Sequence, residues 1–302
     1  MSTIARRLSP IAGILLAVAC GARSLAAEPA PGSKPDYHGS IDTDFGYVPG
    51  STLHYGGTDV GKLSTTHSRL RYTGTFISGG DVDWTMGLEY SRLDFGVPKG
   101  QPLPPSLGAA TIPLGVRWKI SDRWSFRGEV APGVYSDFQD IEGSDFNAPI
   151  TAGLSYAIND GLVVSLQVSI DARRDIPVIG GPGVWWRISP RWTLSLLLPR
   201  PRLEFHPSDS WTFFVGGEIA GGAYQLGSNS GTKRGAPSMD SVNISYREIR
   251  GGIGADWKIG HGFFLEAAGG WMFDRRFVVD DLRRTWNGNG APYGRVQLSY
   301  RY

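Results

Sequence analysis

The chain of 302 residues holds a single cysteine, Cys20. No intramolecular disulfide can form, which excludes a disulfide-stapled secreted scaffold. No Cys-x-x-Cys pair and no Cys/His cluster with metal-ligand spacing occurs, so the sequence calls for no metal and no cofactor. Long apolar runs are missing too. The longest, 11–19, is far short of the roughly 20 residues a membrane-spanning helix needs. It follows Arg6 and Arg7 and leads to small residues ending at Ala26-Ala27. That order is the signature of a secretory signal peptide covering residues 1–27. Ala17-Val18-Ala19-Cys20 can also be read as a lipoprotein box with Cys20 acylated, and a basic leader explains Arg6-Arg7 more simply than twin-arginine export does. The last absence is a basic excess. The full chain carries +2, but removing residues 1–27 takes away Arg6, Arg7 and Arg23, leaving 27 − 28 = −1. Such a balance gives no electrostatic footprint for nucleic acid.

What the chain does have is glycine, aromatic residues and strict alternation. In Leu114–Val130, Leu114, Val116, Trp118 and Ile120 alternate with Gly115, Arg117 and Lys119. After the turn Ser121-Asp122-Arg123, Trp124, Phe126 and Val130 oppose Ser125, Arg127 and Glu129. Period two marks strands with one apolar and one polar face. Residues 28–39 read as a short periplasmic lead and 40–302 as one all-β domain. Fourteen candidate strands fall near 41–48, 63–77, 82–96, 109–120, 123–137, 148–158, 161–173, 178–188, 191–198, 202–206, 211–225, 241–259, 262–277 and 292–302.

The connections alternate in length. Those at 78–81, 121–123, 159–161, 189–191, 207–210 and 260–262 are tight, and the intervening ones at 49–61, 97–108, 138–147, 174–177, 226–240 and 278–291 are mostly longer, with Pro199-Arg200-Pro201 a very short exception. A soluble sandwich has no reason to sort its loops by parity, whereas outer-membrane barrels pair short periplasmic turns with long extracellular loops. The pattern predicts a single antiparallel up-and-down transmembrane β-barrel of about 12–14 strands, with the apolar faces toward lipid. Aromatic placement agrees. Trp118/Trp124, Trp186/Trp192, Phe205/Trp211 and Trp257/Phe263 straddle tight turns six positions apart, where they would form an interfacial girdle together with Tyr302. The last strand, with Val296, Leu298, Tyr300 and Tyr302 on one face, resembles the C-terminal signal read by the bacterial barrel-assembly machinery. The partners implied are that machinery and outer-membrane lipid.

The opposite faces would line the lumen with Arg117, Lys119, Arg127, Glu129, Arg202, Glu204, Glu218, Arg247, Asp256, Lys258, Glu266 and Arg295. Both signs are mixed, which suits either a weakly selective pore or a packed salt-bridge network; because fourteen strands enclose more than side chains can fill, a narrow, partly obstructed channel is favoured over a plugged one. Val242, Ile244 and Tyr246 are out of phase with Ile253, Ala255 and Trp257, and a β-bulge near 248–251 would reconcile them. The segment Leu198-Pro199-Arg200-Pro201-Arg202-Leu203-Glu204-Phe205 resembles an L-P-x-P-x-x-E-aromatic motif in a family of uncharacterised bacterial outer-membrane barrels. The resemblance implies fold and location but no activity. Arg202 and Glu204 would form an inward ion pair.

These readings lead to a passive channel for small polar solutes, or an envelope structural protein, in the Gram-negative outer membrane, and not to an enzyme. One alternative is a surface ligand-binding or adhesion barrel acting through loops 49–61, 226–240 and 278–291. The other is an outer-membrane hydrolase. His206-Pro207-Ser208 resembles the His-x-Ser spacing of lipid A deacylases but falls at a periplasmic turn.

Overall fold

The computed structural model describes residues 38–302; residues 1–37, with the expected signal peptide, Cys20 and all but the last two residues of the 28–39 lead, lie outside the described residues. Fourteen antiparallel strands close into a barrel. They begin with β1 (Gly39–Tyr55), β2 (Thr58–Gly79) and β3 (Val82–Gly96). Three interrupted strands follow: β4 (Ser106–Thr111 and Leu114–Lys119), β5 (Trp124–Val130 and Gly133–Ser136) and β6 (Phe146–Asn147 and Ile150–Asn159). Then come β7 (Leu162–Ile170), β8 (Val178–Ser189), β9 (Trp192–Ser195), β10 (Arg202–Phe205) and β11 (Trp211–Gln225). The last three are β12 (Asn243–Gly260), β13 (Phe263–Val279) and β14 (Arg284–Gly288 and Ala291–Arg301). The barrel shuts where β1 pairs with β14, from Ser40↔Arg301 to Tyr47↔Gly294.

Each of the three interruptions contains a proline: Pro113, Pro132 and Pro149. Proline lacks the N–H of a ladder bond, but its carbonyl still accepts. Gly87 donates to Pro113 at 2.8 Å, Ile112 to Pro132 at 2.9 Å and Ala131 to Pro149 at 3.0 Å. The wall therefore stays hydrogen-bonded through the break.

The tight turns lie at the end that holds both described termini, as the parity of loop lengths predicts. Above that end the outer surface is apolar. Leu88, Leu166, Ile253 and Phe273 are all more than 60 % exposed. A continuous apolar ring of this extent is incompatible with a water-facing surface and is what lipid requires of a barrel wall. Trp118, Trp124, Trp186, Trp192, Trp211, Trp257, Phe263 and Tyr302 are exposed around its lower rim, with Phe205 half-buried among them. Trp211 stacks on Trp257 at 5.4 Å and Trp192 packs against Phe205 at 4.9 Å.

The opposite end departs from expectation. The segment 49–61 is not a loop: β1 and β2 run on to Tyr55 and Thr58 and turn tightly at Gly56-Gly57, both with positive φ. The segment 278–291 is mostly strand as well, with β13 reaching Val279 and β14 resuming at Arg284. These extensions are stable because their inner faces are apolar. Leu53, Leu63, Phe95, Ile244, Tyr246, Phe277 and Trp286 belong to one buried cluster inside the barrel. Leu103 from loop 97–105 and Leu226, Met239 and Val242 from loop 226–242 complete it. The top of β11 crosses to the top of β5, where Gln225 pairs with Ser136 in parallel and Asp137 N–H donates to the Gln225 carbonyl at 3.3 Å. This end of the barrel is thus filled by an apolar cap.

The phase conflict in β12 has the same origin. The register against β13 shifts between Ile249 and Arg250, but the extra residue is Phe273 on β13. Even-numbered β12 residues face inward throughout: Ile244 and Tyr246 in the cap, then Glu248 and Arg250, all buried. The strand keeps its phase while its surroundings change from lipid to water.

Two substitutions separate the two environments. Leu166→Arg, on the lipid face, is expected to cost about 2–4 kcal/mol in unfolding from lipid vesicles. Ile244→Ala is expected to cost about 2–5 kcal/mol by opening a cavity in the cap.

Candidate functional site

Beneath the cap, the inner faces of β10–β14, β1 and β2 carry charge. Asp42 and Asp44 alternate with Ile41, Thr43 and Phe45 on β1, so the apolar side meets lipid and the acids turn inward. Asp44 bonds Arg295 of β14 at 2.5 Å and His67 of β2 at 3.0 Å. Arg295 also pairs with Glu266 of β13. Glu266 is held in turn by Arg202 of β10 at 2.8 Å, and Arg202 reaches Asp256 of β12 at 3.6 Å. Arg202 also lies over the ring of Phe214, 4.0 Å from its centroid.

Higher up, Arg250 bonds Glu248 at 2.5 Å and approaches Glu218 at 3.8 Å. Arg275 bonds Glu248 at 2.9 Å and donates to the Leu63 carbonyl at 2.8 Å. Tyr246 donates to Glu248, joining the charged layer to the cap. Five carboxylates (Asp44, Glu218, Glu248, Asp256, Glu266) meet five guanidiniums (Arg200, Arg202, Arg250, Arg275, Arg295) in one network. Across the lumen, Arg71 pairs with Glu129 at 2.7 Å and with Glu89 at 3.4 Å.

Arg200 enters the network from a connection rather than a strand. The strands β9 and β10 have only four residues each. The segment Leu196–Pro201 turns into the wall beside β11, with Ile219 N–H on the Pro199 carbonyl at 3.1 Å and Gly217 N–H on that of Pro201 at 2.9 Å. Arg200 then bonds Glu218 at 2.6 Å and Gln297 at 3.4 Å. The prolines bracket this arginine and fix its backbone.

Below the network a cavity of about 180 Å³ opens toward the tight-turn end, lined by Arg202, Asp256, Lys258, Glu266, Gln297 and Arg301 among others. Arg117 and Arg127 oppose each other across β4 and β5, with Asp83 opposite Arg117 on β3. Lys119 is nearer the rim, where it bonds Asp122 at 2.8 Å. Glu204 faces inward beside His206 at 3.6 Å and is not paired with Arg202. Arg247 is a correction: with Tyr246 and Glu248 buried inside, strand alternation sends Arg247 to the outer surface, where it bonds Asp274 at 3.2 Å. Sequence reasoning also missed Asp44, Glu248, Arg250 and Arg275. Extending the even-numbered phase of Asp256 and Lys258 up β12 would have found Glu248 and Arg250 and excluded Arg247.

His206 does not form a catalytic pair with Ser208. Its ring lies 2.9 Å from the Thr212 hydroxyl and 3.2 Å from that of Thr193, while Ser208 is exposed in the turn. Among the described residues no group of His, Cys, Asp and Glu is placed to hold a metal ion.

Removing one member of a buried ion pair leaves the other uncompensated. Glu248→Gln, which leaves Arg275 without a carboxylate and removes the nearest partner of Arg250, is therefore expected to lower stability by about 3–5 kcal/mol in denaturant unfolding from vesicles. Arg92→Ala breaks the half-exposed contacts with Asp94 and Tyr90 and is expected to change it by about 0–1 kcal/mol. In the cap loop, the Thr232 hydroxyl and amide both donate to Asp240 and hold its carboxyl below the usual aspartate range. A lowered folded-state pKa means support that is present at neutral pH and is lost only as pH falls below that range. Protection against hydrogen exchange in 226–242, taken relative to the intrinsic rate at each pH, should stay flat from pH 8 to about 5 and fall below about 4, and Asp240→Asn should lower it at neutral pH.

The barrel has counterparts among solved structures. An outer membrane channel from Pseudomonas putida F1 is 8% identical, with a TM-score of 0.49 over 92% of this chain and 100% of that one. The P. putida toluene transporter TodX is 10% identical, with a TM-score of 0.44 over 89% and 91%. The translocator domain of the autotransporter NalP from Neisseria meningitidis is 13% identical, with a TM-score of 0.38 over 90% and 91%. No curated protein matches the chain. The family described as Domain of unknown function (DUF6268) matches residues 81–287, most of the barrel, and the chain belongs to that family.

Proposed function

We propose that this chain is a passive channel for small polar solutes in the outer membrane of a Gram-negative bacterium, closed at its outer mouth by a displaceable cap. The supporting observation is the division of the interior. The lower lumen is charged and holds a cavity open toward the tight-turn end, whereas the outer end is sealed by apolar packing that includes two loops. A purely structural barrel has no need of a charged interior with a cavity in it. The balanced charges make selectivity by size more prominent than selectivity by sign, because paired charges leave little net field.

A surface-binding barrel acting through three long loops loses much of its basis. Of 49–61, 226–240 and 278–291, only the second contains no strand. The L-P-x-P-x-x-E-aromatic segment serves the wall and the network on this reading, with Arg200 as a positioning residue. Outer-membrane lipid and the barrel-assembly machinery, recognising the strand that ends at Tyr302, are the partners the reading requires.

Planar-bilayer recording tests it. The intact barrel should open rarely. Replacing 228–240 by a short Gly-Ser linker should raise the open probability at least about tenfold, the effect of removing about 1.4 kcal/mol of cap packing. A sealed lumen in both proteins would overturn the channel assignment.

A further inference from the structure

Arg247 of β12 stands directly opposite Arg276 of β13, and both point outward. The residues flanking each of them, Tyr246, Glu248, Arg275 and Phe277, are fully buried inside. Like charges directly opposite on neighbouring strands are destabilising, so this pair calls for a counter-charge. Asp274 supplies one, bonding Arg247 at 3.2 Å. Arg276 makes no ion pair among the described residues, and the Nε atoms of both arginines are buried without an acceptor. Gly221 lies opposite Arg247 on the other side and Asn287 opposite Arg276, so no carboxylate flanks the pair on the neighbouring strands.

The height of the pair identifies the ligand. Trp257 on the lower girdle and Arg247 are ten residues apart on one strand, which is about 25 Å along the barrel axis at the usual tilt. That is the height of the apolar band. On β13, exposed Trp271 and Phe273 mark the upper edge of the band just below Arg276. The two guanidiniums thus sit at the level of lipid headgroups, on the side away from the tight turns. Planar guanidinium forks match the oxygens of a phosphoryl group, and one phosphoryl group can accept from the outward-facing ends of both arginines.

We propose that Arg247 and Arg276 form a binding site for the phosphoryl group of an outer-leaflet lipid headgroup. The proposal rests on the outer-membrane reading for the identity of that lipid, and it is independent of whether the lumen conducts.

Native mass spectrometry of the full barrel in detergent, with added diphosphorylated lipid A or its dephosphorylated form, tests the site. The wild-type protein should retain the phosphorylated lipid at least about tenfold better, the effect of a charge-assisted hydrogen bond. The double variant Arg247→Gln/Arg276→Gln should lose that preference. Arg247→Lys/Arg276→Lys should keep part of it, which separates loss of the site from loss of the fold, as does heat-modifiable migration on gels. Equal retention of the two lipids by the wild type, or an unchanged preference in the glutamine variant, overturns the proposal. Inorganic phosphate that competes as well as the lipid, mole for mole, would assign the pair to a free anion and overturn the lipid assignment. A barrel that retains lipid but never conducts would fail as a channel and leave this site standing.

Discussion

Within a bilayer every backbone N–H and C=O must find its partner inside the protein, and the architecture follows from meeting that demand. β1 and β14 close the sheet so that no edge faces lipid. Where β4, β5 and β6 lose donors to proline, the proline carbonyls still accept from the neighbouring strand. The harder case is the hairpin β9–β10. Strands of four residues rise only about 13 Å, roughly half the height of the apolar band. Above them β8 and β11 would face each other across a gap. Leu196–Pro201 occupies its floor: Leu196 N–H bonds the Val184 carbonyl at 2.7 Å on one side, and the Pro199 and Pro201 carbonyls accept from β11 on the other. Leu197 lies so close to β8 that a Cβ on Gly183 would sit 2.8 Å from its Cδ2. One short segment thus mends the wall and delivers Arg200 to the lumen.

The second governing fact is the change of solvent along each long strand. Low on β12, Ile253 and Trp257 face lipid while Asp256 faces the lumen. Ten residues higher the same alternation puts Tyr246 inside and Arg247 outside. The lower barrel is a membrane protein and the upper barrel has the apolar interior and polar exterior of a soluble one. The charged network lies at the junction, tied to the cap through Tyr246 and Glu248. Buried ion pairs are seldom a net source of stability, but they fix which wall residues meet, and here they hold strands from β10 round to β2 in one register.

This change of solvent also explains how much the sequence discloses. All fourteen strands and the six tight turns at the end holding the termini were legible, because alternation and turn residues are local signals, whereas the tight turn at Gly56-Gly57 on the opposite end was read as a long loop. The girdle was legible for the same reason: Trp118 to Trp124 and Trp257 to Phe263 span single turns. The extensions beyond Val48 and Phe277 were not, since 49–61 carries Gly, Pro and Ser and is punctuated like a loop, although its apolar residues Leu53 and Val60 pack in the cap. Arg247 was misplaced because its neighbours Ile244 and Tyr246 were assigned to lipid, when they belong to a water-excluding core. The pairings of Asp44 with Arg295 and of Glu248 with Arg275 join residues 251 and 27 positions apart. No local pattern carries contacts of that kind.

The cap determines how such a barrel could open. Most of its apolar residues belong to strands already fixed in the wall, and these cannot leave without breaking the barrel. The movable part is small: Leu103 from one loop and Leu226, Met239 and Val242 from the other. Exposing four such side chains costs about 1.5–3 kcal/mol each, or about 6–12 kcal/mol together if none is reburied. At 1.4 kcal/mol per factor of ten, the open form is a rare state unless something else offsets that cost. The charged layer beneath does not supply the offset, since its members are already paired with one another. The offset would have to come from outside the barrel, from a molecule that takes the place of those four side chains, and on the proposed channel reading this makes the cap rather than the lumen the element that would set when solute passes.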